Sequence, residues 1–166
     1  RRLYRTAMFS TPGLEKYISG VILFDETIRQ KTDEGIPIPT YLTDRGMLPG
    51  IKVDTGAKPL AGHPGETVTE GLDGLRERCE EYYNMGARFA KWRAVISISE
   101  NCPSAASVST NSHALARYAS ICQEQGLVPI IEPEVLMDGD HSIMECFKVT
   151  SEVLKAVYSE CRIQGG

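Results

Sequence analysis

Four short apolar segments, each bounded by glycine or proline, predict buried β-strands. They are rich in β-branched and aromatic residues, which favour the extended backbone. The segments are Ile18–Phe24, Gly50–Asp54, Arg88–Ile96 and Leu127–Glu134.

Amphipathic segments lie before, between and after these strands. In them, apolar residues recur three and four positions apart, the spacing of one face of a helix. The predicted helices are Arg2–Phe9, Leu72–Met85, Ala105–Gln125 and Ile143–Cys161. The residues of the last helix predicted to face inward are Phe147, Val149, Val153, Leu154, Val157 and Tyr158. Strands that alternate with helices indicate βαβ units and a parallel sheet.

Two connections are longer and less regular. Within Asp25–Pro49, a helix is predicted near Glu26–Gln30, and Pro37 and Pro39 are expected to break it. The segment Thr55–Gly71 is rich in glycine and proline, which predicts a long loop directly after a strand.

The composition is that of an ordinary globular domain, which we take to span residues 1–166. Hydrophobic residues make up 42% and charged residues 24%, and the net charge is −4. No basic block favours nucleic acid, and no apolar run approaches the roughly 18 residues that a membrane helix needs. The five cysteines lack C-x-x-C spacing, which favours reduced structural thiols. The three histidines are scattered, so no metal site is predicted.

Three of the predicted strands each carry two charged residues two positions apart. Because residues i and i+2 of a strand point to the same face, each strand aims two charges in one direction. The pairs are Lys52 and Asp54, Lys91 and Arg93, and Glu132 and Glu134.

Charges are unusual on parallel strands, which are normally covered on both faces and apolar. Burying an unpaired charge costs several kcal/mol or more. The pattern makes sense if the charges, which sum to zero, converge at the mouth of a (β/α)₈ barrel. The alternative is that they are solvent-facing residues of amphipathic strands. Trp92, between Lys91 and Arg93, is predicted to pack under a helix on the opposite face. The convergent charges favour a sugar or phosphate site, with cations holding anions and a glutamate moving protons.

Longer motifs at matching spacing run from residue 1 to about residue 160. They are RRLYR, YISGVILFDET, GIKVDTG, PLAGHPGET, GLDGLRERC, GARFAKWR, LARYASICQEQGLVPIIEPE and DGDH. In these motifs the chain resembles the class I fructose-bisphosphate aldolases. The resemblance implies an α/β fold, a (β/α)₈ TIM barrel of which this chain covers about strands two to five, and a homotetramer. It also implies metal-independent, cofactor-free cleavage of fructose 1,6-bisphosphate to dihydroxyacetone phosphate and glyceraldehyde 3-phosphate.

The same resemblance assigns roles to individual residues. Glu132 is the implied general acid/base, Lys91 assists carbinolamine chemistry, and Glu134 orders the lysines. The residues implied to bind the sugar phosphate are Lys52, Arg93, Asp54 and Arg1, the last as the arginine of the RRxYR motif.

The family's imine-forming lysine lies in a motif of LEGTLLKP type, expected after this chain's last residue. The tail Arg162–Gly166 does not match that motif. We therefore expect an enzyme as the full-length protein, but an inactive chain 1–166 without a stable closed barrel. Its inner sheet face is expected to expose Ile51, Val53 and Ile131.

Two other functions remain open. A non-catalytic, aldolase-like scaffold could present its surface to cytoskeletal or adhesin partners, and another barrel lyase or isomerase could use the same charged mouth. The resemblance implies a cytoplasmic protein, with the plastid stroma as the alternative. The sequence does not distinguish fructose 1,6-bisphosphate from fructose 1-phosphate as the preferred substrate.

Overall fold

Six strands make up two sheets in the computed structural model, which describes residues 2–165. In chain order they are β1 Gly20–Leu23, β2 Leu48–Lys52, β3 Gly56–Pro59, β4 Thr67–Glu70, β5 Phe89–Ile96 and β6 Val128–Val135. The strands β1, β2, β5 and β6 lie side by side in that order, and all neighbours are parallel. The strands β3 and β4 form a separate antiparallel pair. The predicted parallel sheet of about four strands is confirmed.

Within the described residues, six helices accompany the sheets. They are α1 Arg2–Phe9, α2 Asp25–Ile28, α3 Ile38–Thr43, α4 Leu75–Asn84, α5 Ala105–Glu124 and α6 Ile143–Ile163. A single 3₁₀ turn covers Leu14–Lys16. The two longest helices start at serines whose hydroxyls accept a backbone N–H of the first turn: Ser104 from Ser107 at 3.1 Å, and Ser142 from Glu145 at 3.2 Å.

The hydrophobic core lies between the parallel sheet and the helices on one of its faces. Along β5 the side chains alternate between fully buried and partly exposed, as the two-residue period of a strand requires. Trp92 and Tyr118 of α5 are both fully buried, with ring centroids 5.3 Å apart. The prediction that Trp92 packs under a helix is confirmed. All five cysteines are free thiols, as predicted.

The prediction that Thr55–Gly71 is a long loop is wrong, because this segment contains the hairpin of β3 and β4. Contacts far along the chain hold this hairpin. The Thr69 hydroxyl donates to the carbonyl of Arg93 at 2.8 Å, and the Thr69 N–H donates to Asn111 Oδ1 at 3.2 Å. The glycine and proline content of the segment predicted a loop because it does not reveal the tertiary hydrogen bonds that stabilise the hairpin.

The helix α3 was also missed. Pro37 lies just before it and Pro39 in its first turn, where a missing N–H costs nothing because those amides have no intrahelical partner. The prolines that were expected to break a helix instead begin one.

Two predictions of burial are wrong. On α6, Val153 and Val157 are buried, but Phe147, Leu154 and Tyr158 are exposed. Ile51 and Val53 are fully buried.

The correction at Ile51 follows from strand parity. Lys52 is half-buried on the face opposite the helices, so its neighbours Ile51 and Val53 face the core. Ile131 likewise packs against the core. The apolar side chains exposed on the open face include Ile22, Ile130 and Val128 instead.

Candidate active site on the open face of the sheet

The charged residues predicted from the sequence lie on the face of the parallel sheet opposite the helices. Strand register brings them together, because Lys52 of β2 is opposite Lys91 of β5, and Arg93 of β5 is opposite Glu132 of β6. Since partners in register share a face, the charged pairs of three strands form one row. We call these six residues the charged row: Lys52, Asp54, Lys91, Arg93, Glu132 and Glu134.

Every cation of the charged row has a carboxylate partner within it. Lys52 Nζ pairs with Asp54 Oδ1, and Arg93 Nε pairs with Glu134 Oε2. Lys91 Nζ lies 3.3 Å from Glu132 Oε2. The pairs between β5 and β6 are diagonal, so each spans neighbouring strands and depends on the register.

Asp54 is the most enclosed carboxylate of the row, with its side chain only 3% exposed. Besides Lys52, its oxygens accept the N–H of Gly56 at 3.1 Å and the N–H of Arg93 at 3.3 Å. These donors hold the carboxylate in place and offset the cost of burying it. The geometry favours a role in orienting Lys52, while direct contact of Asp54 with a substrate stays a prediction.

The other residues of the row are open enough to meet a ligand. The side chain of Lys91 is 16% exposed and that of Glu132 is 38% exposed. Hydrogen bonding to Glu134 raises the pKa of Arg93, which keeps that guanidinium positively charged. A partly enclosed lysine in contact with a carboxylate can exchange a proton with it or with a bound hydroxyl.

Glycine makes room at the amino end of the same face. The ring of Phe89 lies over Gly50, where a Cβ would come within 2.3 Å of ring atoms. The ring also covers Gly20, whose Cβ would meet it at 2.9 Å. A side chain larger than hydrogen at either glycine would therefore displace the Phe89 ring.

Phe24 and Arg5 were not identified from the sequence as residues near the charged row. Phe24 follows β1 directly and lies with its ring centroid 5.9 Å from Lys52 Nζ and 5.8 Å from Arg5 Cζ. The available signal was the parity of Phe24 with Gly20 and Ile22, which predicts the open face. Arg1, the fourth predicted substrate-binding residue, lies outside the described residues.

The larger clefts of the surface lie away from the charged row. One of about 500 Å³ runs between α5 and α6, lined by residues such as Val108, Ser112 and Val149. Within residues 2–165, no other element covers the open face of the sheet, so the charged row is not part of an enclosed cavity. Residues 2–165 contain no cluster of three or more acidic, histidine or cysteine side chains placed to hold a metal ion. In the same range, no helix is both long enough and apolar enough to cross a bilayer.

Comparisons with known proteins agree on one family. The family model described as fructose-bisphosphate aldolase class-I matches residues 1–164. "Probable fructose-bisphosphate aldolase class 1" of Xanthomonas campestris pv. campestris is 64% identical over 158 residues, which is 95% of this chain and 47% of that protein. "Fructose-bisphosphate aldolase 6, cytosolic" of Arabidopsis thaliana is 56% identical over 158 residues, 95% of this chain and 44% of that protein.

A solved structure extends the likeness to the fold. It is the Plasmodium falciparum fructose-bisphosphate aldolase, in a complex with TRAP and a small-molecule inhibitor. It matches with a TM-score of 0.95 and 49% identity, over 98% of this chain and 48% of that one. The chain therefore spans about half the length of the relatives it matches.

A parallel sheet with helices on one face, matching about half of a solved aldolase structure, is a segment of a (β/α) barrel. The chain belongs to the class I fructose-bisphosphate aldolase family, as the family match over residues 1–164 shows.

Proposed function

We propose that the full-length protein containing this chain is a class I fructose-1,6-bisphosphate aldolase. It reversibly cleaves fructose 1,6-bisphosphate to dihydroxyacetone phosphate and glyceraldehyde 3-phosphate. The observation that carries the proposal is the charged row itself, in which the cations and carboxylates of the matching motifs lie on one face and form three ion pairs.

In this proposal the covalent step uses a lysine of the full-length protein outside residues 1–166. Its unprotonated amine adds to the substrate ketone to give a carbinolamine, which loses water and becomes an imine. The positive imine then draws the electrons of the breaking C–C bond. Lys91, in ion contact with Glu132, is placed to move protons during carbinolamine formation and loss of water.

Glu132 is the proposed general acid/base. As the C–C bond breaks, its carboxylate takes the proton of the substrate hydroxyl that becomes the aldehyde, and the electron pair passes to the imine as an enamine. Glu134, implied by resemblance to order the lysines, pairs in this structure with Arg93. It therefore supports the lysines only indirectly, by keeping that guanidinium beside Glu132 on the same face. The contact of 3.3 Å between Glu132 and Lys91 supports proton exchange between them.

Cationic side chains can bind the phosphates of the sugar by charge and donate hydrogen bonds to its hydroxyls. Lys52 and Arg93 are the proposed substrate-binding cations of the described chain, with Asp54 holding Lys52. Arg1 completes the proposed set by resemblance alone. We propose that no metal ion or cofactor takes part in this chemistry.

We further propose a homotetramer located in the cytoplasm. The cytosolic name of the Arabidopsis relative supports the location. Binding to cytoskeletal or adhesin-type partners is a second proposed function. Its support is the structural neighbour, which was solved in a complex with TRAP.

The test is an assay of the full-length protein for cleavage of fructose 1,6-bisphosphate, with and without EDTA. We expect turnover that EDTA leaves unchanged, and a covalent adduct when dihydroxyacetone phosphate is trapped with borohydride. Activity abolished by EDTA and restored by a divalent cation, or turnover without an adduct, would contradict a Schiff-base aldolase. A folded tetramer without turnover would favour the scaffold function.

A further inference from the structure

An aromatic ring at the carboxyl end of β1 lies close to two cations. Phe24 is 55% exposed and follows the last residue of the strand. Its ring centroid is 5.9 Å from Lys52 Nζ and 5.8 Å from Arg5 Cζ. Both distances are within the range in which a cation is attracted by the negative face of an aromatic ring.

Both cations are also held by hydrogen bonds to oxygen atoms of other residues. Arg5 of α1 donates to Thr27 Oγ1 at 2.8 Å and forms an ion pair with Glu26 at 3.3 Å. Lys52 donates to the side chain and to the carbonyl of Asp54, the latter at 3.0 Å. The ring is therefore an additional contact for two side chains whose movement is already limited by hydrogen bonds.

The partners of the two cations differ in a way that bears on ligand binding. Glu26, the partner of Arg5, is 67% exposed, whereas Asp54, the partner of Lys52, is 3% exposed. Lys52 keeps part of its ammonium surface open, with its side chain 26% exposed. The buried carboxylate and the nearby ring both limit the directions in which the Lys52 ammonium can present its remaining N–H to a ligand.

We propose that Phe24 is a positioning residue that holds Lys52 in the orientation that binds a phosphate group of the sugar substrate. Arg5 keeps the ring in place through its own contact with it. This inference rests on the proposed function, because it takes Lys52 as a phosphate-binding cation. It assigns to Phe24 no contact with the reacting atoms.

The simpler explanation is that Phe24 is an isolated exposed apolar residue, which is common on protein surfaces. Two cations within 6 Å of its ring, brought there from α1 and β2, favour a specific role. The two explanations differ in one measurable respect. A positioning ring acts through Lys52, and an isolated surface ring does not.

The test uses the full-length protein and a hexitol 1,6-bisphosphate, which cannot be cleaved, as the probe. Binding is measured by calorimetry, so the readout does not require turnover. Phe24→Leu removes the aromatic face and keeps an apolar side chain, and we expect it to weaken binding by about two- to fivefold, the scale of an exposed cation–π contact. Phe24→Tyr keeps the ring and should restore the affinity. KM for fructose 1,6-bisphosphate should rise by a larger factor than kcat falls.

A matched control and a double substitution complete the design. Tyr83→Leu removes a ring that lies 4.4 Å from the guanidinium of Arg88, away from the charged row, and should leave the affinity unchanged. In a Lys52→Gln background, Phe24→Leu should cost no further affinity. Equal losses in both backgrounds, or a Phe24→Leu affinity equal to that of the parent protein, would overturn the inference.

Failure of this inference is distinguishable from failure of the proposed function. If the parent protein cleaves fructose 1,6-bisphosphate and Phe24→Leu binds the probe normally, only the positioning role is lost. If the parent protein neither binds the probe nor cleaves the sugar, both the proposed function and the positioning role are overturned.

Discussion

The two faces of β5 carry different kinds of side chain at alternating positions. On the covered face, Ala90, Trp92 and Ala94 are buried beneath the helices. On the open face, Lys91 and Arg93 extend toward carboxylates of β6. One strand thus contributes packing energy through one set of residues and candidate chemistry through the other, so substitutions at adjacent positions should affect different properties.

The two faces differ also in what completes them. The covered face is fully packed within this chain, since Trp92 of β5 and Tyr118 of α5 are both fully buried against each other and the surrounding core. The open face is not, since Ile22 and Val128 are exposed beside the charged row. In a closed barrel, the remaining strands would cover these residues.

The largest effect is therefore expected from testing residues 1–166 alone. We expect no cleavage of fructose 1,6-bisphosphate and self-association of the chain, because β1 and β6 are the edges of the described sheet and Lys52 and Lys91 are not imine formers by resemblance. Activity assays, borohydride trapping and light scattering check this. Turnover near that of the full-length protein, or a stoichiometric adduct on Lys91, would contradict it.

The next largest effect should separate the two faces within one strand. Trp92→Ala in the full-length protein should lower the free energy of unfolding by about 3–5 kcal/mol, the usual cost of a large core truncation. Arg93→Ala, at the adjacent open-face position, should change that free energy by about 1 kcal/mol or less, because its ion pair is partly exposed.

Urea unfolding of both variants measures this difference. Trp92→Phe is the matched control, since it keeps a ring and removes the indole N–H, which has no hydrogen-bond partner in the described part of the chain. We expect it to cost less than Trp92→Ala. Equal destabilisation by Trp92→Ala and Arg93→Ala would mean that the two faces do not divide stability and chemistry as described.

Strand parity made much of this division predictable from the sequence. Alternation along residues 88–96 indicated that Trp92 faces away from Lys91 and Arg93, and the structure confirms it. The same rule, applied without error, would have assigned Ile51 and Val53 to the core. The alternation of side chains along a strand is set by the local backbone alone. It can therefore be predicted without knowing which residues the strand contacts.

Features that depend on distant residues were not predictable. The hairpin of β3 and β4 is held by Asn111 and by the backbone of Arg93, 24 residues or more away. The diagonal pairing of Lys91 with Glu132 requires the register of β5 and β6. The two cations near the ring of Phe24 come from α1 and β2. No local pattern encodes such contacts, because tertiary packing decides them.

A smaller effect is expected on the open face. Glu132→Gln in the full-length protein should leave folding intact and lower turnover by about 100-fold or more, the scale of a positioned acid/base. Glu124→Gln is the matched control, because Glu124 pairs with Arg76 on the helical surface. Steady-state kinetics and circular dichroism test the pair. Turnover of Glu132→Gln within twofold of the parent protein would remove this residue from the mechanism.

The smallest effect concerns pH and the covered face. Burial raises the pKa of Tyr118, so the folded state favours the neutral phenol. The resulting stability is complete below the ordinary tyrosine pKa of about 10 and is lost as the pH rises above it, by about 1.4 kcal/mol per pH unit. Tyr118→Phe has no phenol to ionise. At pH 7 this substitution should lower the free energy of unfolding by about 1 kcal/mol. It removes the hydrogen bond that the phenol donates to the carbonyl of Ile130 at 3.1 Å.

The two proteins should therefore converge in alkaline solution. By about pH 11, the loss of roughly 1.4 kcal/mol from the parent protein cancels the advantage it has at pH 7. Urea unfolding of the full-length protein at pH 7 to 11 measures this convergence, with the exposed Tyr158→Phe as a control that should follow the parent protein. A gap between parent and Tyr118→Phe that stays constant up to pH 11 would mean that Tyr118 does not titrate as a buried group. The covered face would then be more accessible to water than its packing around Trp92 indicates.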